Sequence, residues 1–163
     1  MRKLLSLILL LALSLALTSC RGGDYYTYCE LTLPLPEEYE RKSSEEFDAL
    51  YSDGSAFVYI TRITFDAAFA DGIPDTYSPL EFARFYRLNN SHTEFEINTS
   101  SHVPRYSYTG IDGDGEVFMM HTFYRTPYAY FIVTYSSSAA LVSEYEADFI
   151  RYANGATISF YED

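Results

Sequence analysis

The chain has 163 residues, 23 acidic against 11 basic, giving a formal net charge of −12, and it carries 17 Tyr and 12 Phe but no Trp and two Cys. That charge excludes nucleic acid and direct adhesion to anionic lipid as partners, because both reward Lys and Arg. Two cysteines exclude a disulfide framework, and the length supports one domain that buries about two-thirds of its unfolded surface.

Arg2 and Lys3 form a positive head, Leu4 to Leu17 an apolar run of signal-peptide length, and small Thr18 and Ser19 precede Cys20. The run is shorter than the roughly 20 apolar residues of a membrane span and is followed by Gly22, Gly23 and Asp24. Leu17-Thr18-Ser19-Cys20 resembles the lipobox of bacterial lipoproteins, whose cysteine receives a diacylglycerol before cleavage makes it the first residue. The resemblance implies a signal peptide at 1–19, lipidation at Cys20 and an extracytoplasmic, membrane-anchored protein. The alternative is an ordinary secretory signal cut near Ser19, with Cys20 free or paired to Cys29. Cleavage removes two of the basic residues and leaves a formal −14, so the acyl chains must do the anchoring. Residues 20–28 form a tether of at most roughly 30 Å, and 29–163 a single folding unit.

Cys29 precedes alternating Leu31 and Leu33, a strand stopped by Pro34 and Pro36, and its neighbours Tyr28 and Glu30 provide no electropositive setting. It is expected to be a small, partly buried hydrophobe. Residues 45–51 and 55–65 flank Ser52-Asp53-Gly54, a hairpin signal, and 66–72 read as a helical turn closed by Ile73-Pro74. Ser78-Pro79-Leu80-Glu81 is a capping box with Pro at the first helical position, which predicts a helix over 78–90 with Leu80, Phe82, Ala83 and Tyr86 on its apolar face.

Residues 95–97 and 103–109 read as extended, and Asp112-Gly113-Asp114-Gly115 as a turn. Residues 116–125 and 128–135 are apolar at both alternating positions, as strands between two layers must be, and predict the centre of the sheet. A second helix is predicted over 139–153, with Val142, Tyr145, Phe149 and Tyr152 at helical spacing and Asn154-Gly155 as its stop, followed by a strand at 157–161. This order predicts an α+β fold, an antiparallel β-sheet with helices packed on both sides.

The order of elements, the early L-x-L-P-x-P-E segment, the F-Y-R-T-P-Y-A-Y-F-I-V-T-Y hairpin and the terminal E-Y-E-x-x-F-I-R-Y-A helix resemble the PsbP-like and DcrB-like superfamily of small secreted or lipid-anchored domains. The resemblance implies a PsbP-like α/β/α sandwich and a non-enzymatic protein-binding or assembly module, since members share no catalytic residues. No functional residue is carried over from it.

The chemistry-bearing residues point the same way. Asp112, Asp114 and Glu116 begin like a calcium loop, but the sixth and twelfth positions hold Val117 and Phe123 in place of Gly and Glu. His92, His102 and His121 lack metal-ligand spacing; the first two read as loop residues and His121 as a hydrogen-bonded core histidine. There is no G-x-S-x-G elbow, and the GIDGDGE stretch has the wrong spacing for a dinucleotide fingerprint. Glu144, Glu146 and Asp148 read as a solvated helix face. The reading therefore assigns no catalytic, cofactor-binding or metal residue. It predicts a monomer whose candidate contact surface is Tyr106, Tyr108, Tyr124, Tyr128 and Tyr130, offering contact area and a hydrogen bond at low entropic cost to an envelope protein or, alternatively, a glycan or small ligand.

Overall fold

The structure, a computed structural model, describes residues 28–161 apart from Asp114. The lipidation expected at Cys20, the signal at 1–19 and nearly all of the tether lie outside the described residues.

Local chemistry sets most element boundaries. Strand β1 (Tyr28–Thr32) ends before the two prolines, and β2 (Glu40–Lys42) follows a turn closed by Tyr39 N–H on the Pro36 carbonyl. Strands β3 (Ala49–Ser52) and β4 (Ala56–Thr64) are joined by the predicted turn. There Asp53 Oδ1 accepts from the N–H groups of Ser55 and Ala56 at 2.8 and 2.7 Å, and Gly54 takes a φ of +97°, which a side chain would resist. The strand expected from residue 45 begins only at 49. The Ser44 hydroxyl accepts from the N–H groups of Glu46 and Phe47 and holds those residues in a turn.

Helix α1 (Phe65–Ala70) is capped by the Thr64 hydroxyl, and α2 (Pro79–Asn89) by the predicted box. Ser78 Oγ accepts from Glu81 N–H at 3.3 Å while the Glu81 carboxylate accepts from Ser78 N–H at 2.8 Å. Strands β5 (Arg105–Asp112), β6 (Gly115–Arg125) and β7 (Ala129–Ser138) then run as a meander. A 3₁₀ turn at Ala139–Leu141 leads into α3 (Val142–Asn154), and β8 (Thr157–Tyr161) follows.

Six strands form one sheet in the order β2-β3-β4-β7-β6-β5, antiparallel at each junction, while β1 and β8 pair separately. Residues 95–97, expected to be extended, form no strand, and an isolated bridge between the next residue, Asn98, and Arg105 follows them. The Arg87 guanidinium donates to the carbonyls of Phe95 and Thr93 and so draws this segment toward α2. Strand β2 went unanticipated because its three charged residues are all exposed and leave no apolar alternation to read.

Alternation along β7 divides the core in two. Ala129, Phe131, Val133 and Tyr135 point to one face, where Phe149 and Tyr152 of α3 close over them. Tyr130 and Ile132 point to the other, against Phe82 and Ala83 of α2 and Ala68 of α1. The fold is α+β, with helices on both faces of an antiparallel sheet. Residues Cys29–Ser159 form one compact unit.

Candidate functional site

Three of the five candidate tyrosines are core residues and present no surface. Tyr106, Tyr124 and Tyr130 are 1%, 8% and 0% exposed, because β5, β6 and β7 turn these positions under the helices. Their hydroxyls are taken up internally: Tyr124 donates to the Ala153 carbonyl at 2.9 Å, Tyr130 to the Pro74 carbonyl at 2.6 Å, and Tyr106 bonds His92 Nδ1 at 2.9 Å. Burial pushes the Tyr124 hydroxyl up to about 12 and Tyr106 well above the ordinary range. Tyr108 and Tyr128 are half-buried, and the Tyr108 hydroxyl lies 3.3 Å from Met119 Sδ.

His121 is a core histidine, as expected, with Nδ1 2.9 Å from Thr134 Oγ1. Burial, reinforced by the nearby charge of His92, pushes it down to about 4. Its Nε2 is buried with no hydrogen-bond partner among the described residues. His92 lies in a loop, as expected, and is half-buried there, with its ring 4.5 Å from that of Tyr108. The sequence carried no periodic signal for it, because α2 has ended and only the tertiary fold returns the chain to β5. His102 is exposed.

Cys29 is 3% exposed, its sulfur 3.5 Å from Thr126 Oγ1. Asp112 and Glu116 are exposed on the β5–β6 turn, and Asp114 lies outside the described residues. Among the described residues no group of three or more His, Cys, Asp or Glu converges as a metal site would require. Likewise, no described helix is long and apolar enough to cross a membrane.

The sheet register shows what the helices leave open. On the face shared with α1 and α2, cross-strand rows run Ile63–Tyr130–Arg125, Thr61–Ile132–Phe123, Tyr59–Thr134–His121–Tyr106 and Phe57–Ser136–Met119–Tyr108. Phe65 of α1 packs on Tyr130, Phe82 of α2 on Tyr130 and Phe123, and Tyr86 reaches His121 and Phe123. Phe57, Tyr59, Val117 and Met119 belong to neither buried core. Phe57 is 39% exposed and stacks on Tyr59, whose ring also meets Phe47 at 4.8 Å. Burial, then the charges of Asp112 and Glu46, raise the Tyr59 hydroxyl, so this aromatic shelf lies in an acidic field. Alternation in β4 puts Phe57 and Tyr59 on one face, but only the fold shows that neither joins the buried core beneath α1 and α2.

A second concavity borders the outer edge of β5. It is a cleft of about 340 Å³ lined by Glu96, Ile97, Asn98, Arg105, Ser107 and, from α3, Glu146 and Ile150. Glu146 had been read only as part of a solvated helix face.

No protein-family model matches the chain, and no curated protein does. Among solved structures, one from Bacteroides thetaiotaomicron VPI-5482 is similar at 7% identity and a TM-score of 0.51, over 82% of this chain and 46% of that one. The chain thus spans about half the length of that structure, and the likeness shows the fold alone. LpqN, involved in cell envelope biogenesis of Mycobacterium tuberculosis, is similar at 8% identity and TM-score 0.46, over 85% of this chain and 87% of that one. The cyanobacterial PsbP of Synechocystis sp. PCC 6803 is similar at 11% identity and TM-score 0.46, over 86% and 98%.

Proposed function

We propose that this chain is a binding or assembly module, held at the outer side of a cell membrane by lipid on Cys20, with no catalytic step of its own. The observation that carries the reading is the outer end of this sheet face, where Phe57 is 39% exposed and stacks on Tyr59, and where Phe57, Tyr59 and Met119 belong to neither buried core. A half-covered sheet face with stacked aromatic rings offers rigid contact area, the property that protein-recognition surfaces use. The acids Glu46 and Asp112 acting on Tyr59 favour a partner with positive charge. The Cys29 sulfur and the His121 ring are both enclosed by core side chains and so are shielded from an outside reactant.

The test is affinity capture from solubilised envelopes with the full chain and with a Phe57→Asp, Met119→Asp variant. Both substitutions are on the open row and outside both cores, so the fold is expected to persist. Capture of one defined protein by the parent chain, lost in the variant, is the expected result; identical recovery with both would reject the surface. Anchoring is tested separately: Cys20→Ser is expected to move the protein from the membrane to the soluble fraction.

A further inference from the structure

The two edges of the six-stranded sheet are built differently. Strand β2 is three residues long, each charged and exposed, with Lys42 and Glu40 paired at 2.7 Å. Short charged edges of this kind deter pairing with another chain. Strand β5 is eight residues long, and its register with β6 is unbroken from Arg105 to Asp112. From Ser107 to Ile111 it has no lysine, no proline and no bulge, and Ile111 is 81% exposed.

The bridge at Asn98 fixes which backbone groups face outward. Asn98 N–H donates to the Arg105 carbonyl at 2.7 Å, and Arg105 N–H donates to the Asn98 carbonyl at 3.1 Å. Arg105 therefore turns its backbone groups away from β6, and so, at a period of two, do Ser107, Thr109 and Ile111. Phe123 N–H on the Pro104 carbonyl confirms the parity, since the even positions face β6. Among the described residues, the chain leaves this edge after Asn98 and nothing else pairs with it.

We propose that the outer edge of β5 receives an extended peptide segment of a partner protein as an added strand, with a Lys or Arg side chain of that peptide in the adjoining cleft. The proposal rests on the binding-module reading and names how the partner is held. Backbone pairing would supply affinity and the cleft would supply selectivity, as in other strand additions. Glu96 and Glu146 line the cleft, and neither makes an ion pair among the described residues. The one cation there, Arg105, is held by Ser101 Oγ at 2.6 Å. A second copy of this chain is disfavoured as occupant, because each copy brings a net charge of −12 and its own Asp112 and Glu116 to the same edge.

The probe is an eight-residue peptide of alternating Thr and Val with one central Lys, compared with the same peptide carrying Glu in place of Lys and with a version N-methylated at alternate amides. Binding to the full chain is followed by fluorescence anisotropy, and the edge by residue-resolved hydrogen exchange. At about 1 mM, the weak end of specific binding, the Lys peptide is expected to slow exchange at Ser107, Thr109 and Ile111. The Glu peptide is expected to bind about tenfold more weakly, a preference that Glu96→Gln with Glu146→Gln abolishes. N-methylation of the peptide, or Thr109→Pro in the protein, is expected to remove binding; the latter replaces an outward-facing N–H and spares the β5–β6 ladder. No protection at these three amides, or equal binding of the Lys and Glu peptides, would overturn the proposal, whatever the behaviour of the proline variant. If Phe57 still mediates capture of a partner while the β5 amides stay unprotected in that complex, only this inference fails. If neither surface engages anything, the binding-module reading fails with it.

Discussion

His121 Nδ1 and Thr134 Oγ1 face each other across the β6–β7 register, 2.9 Å apart, and among the described residues this is the only hydrogen bond of the His121 ring. Tyr86, Tyr106, Tyr108 and His92 enclose the rest of the ring, so a proton added at Nε2 meets aromatic side chains and a second histidine.

Acid stability follows from that enclosure. In the unfolded chain the imidazole titrates near 6.5, whereas in the fold it is pushed down to about 4, first by burial and then by His92. Between those values the unfolded state binds more protons, so the contribution is fully present above pH 6.5 and is lost as pH falls toward 4. The full shift corresponds to about 3 kcal/mol. Urea unfolding measured from pH 7 to 4 is expected to show this slope, and His121→Gln to flatten it. An unchanged slope in the variant would place the sensitivity elsewhere.

The two halves of the sheet face are expected to differ in how much truncation costs. Phe82 is fully buried, stacked on Tyr130 at 4.3 Å and edge-on to Phe123. Phe82→Ala is expected to cost about 3–5 kcal/mol. Phe57 stacks only on Tyr59 at the open row, and Phe57→Ala is expected to cost about 1 kcal/mol or less. Denaturant midpoints of the two variants compare them directly, and similar losses would mean that the open row is covered in solution.

The α2 cap is a local term. Ser78→Ala removes both the acceptor for Glu81 N–H and the hydroxyl that donates to Glu81 at 2.7 Å. The expected cost is about 1 kcal/mol in thermal or urea unfolding, without change in the aromatic circular dichroism of the core.

Helix α3 is tied to the β3–β4 turn by Tyr145, whose hydroxyl donates to Asp53 Oδ2 at 2.9 Å. Burial alone would raise the Asp53 carboxyl; the N–H groups of Ser55 and Ala56 and the Tyr145 hydroxyl together hold it below its ordinary value. Its contribution to stability is therefore present above the unfolded value of 3.8 and lost as pH falls through the lowered folded value. Tyr145→Phe is expected to cost about 1 kcal/mol at pH 7, measured by urea unfolding.

Cys29 provides a check on the core beneath β1. Its sulfur lies against Thr126 and is 3% exposed, so a thiol reagent should modify the native chain only as fast as it opens. Rapid stoichiometric labelling of the folded protein would contradict this placement.

What the sequence made legible follows the range of the forces involved. The capping box at Ser78, the turn at Asp53-Gly54 and the two-sided apolar runs of β6 and β7 are local signals, and each element lies where they predict. Abundance says nothing of which face a strand turns inward: Tyr106, Tyr124 and Tyr130 are core residues and Tyr108 and Tyr128 are half-buried, while Phe57 and Tyr59, never singled out, lie outside both cores. Arg87 takes up the carbonyls of Thr93 and Phe95, and the backbone pairing of this segment with β5 is confined to Asn98. Such side-chain-to-backbone bonds between distant elements leave no periodic trace.

Site-specific photocrosslinking in native envelopes tests the central claim most directly. A photoreactive residue is placed at Phe57 or Tyr59 on the open row, and at Leu88, which is 57% exposed on α2 and apart from that row, as the control. One defined adduct is expected from positions 57 and 59 and none from 88. Equal adducts from all three positions, or none from the open row at native expression, would contradict the claim.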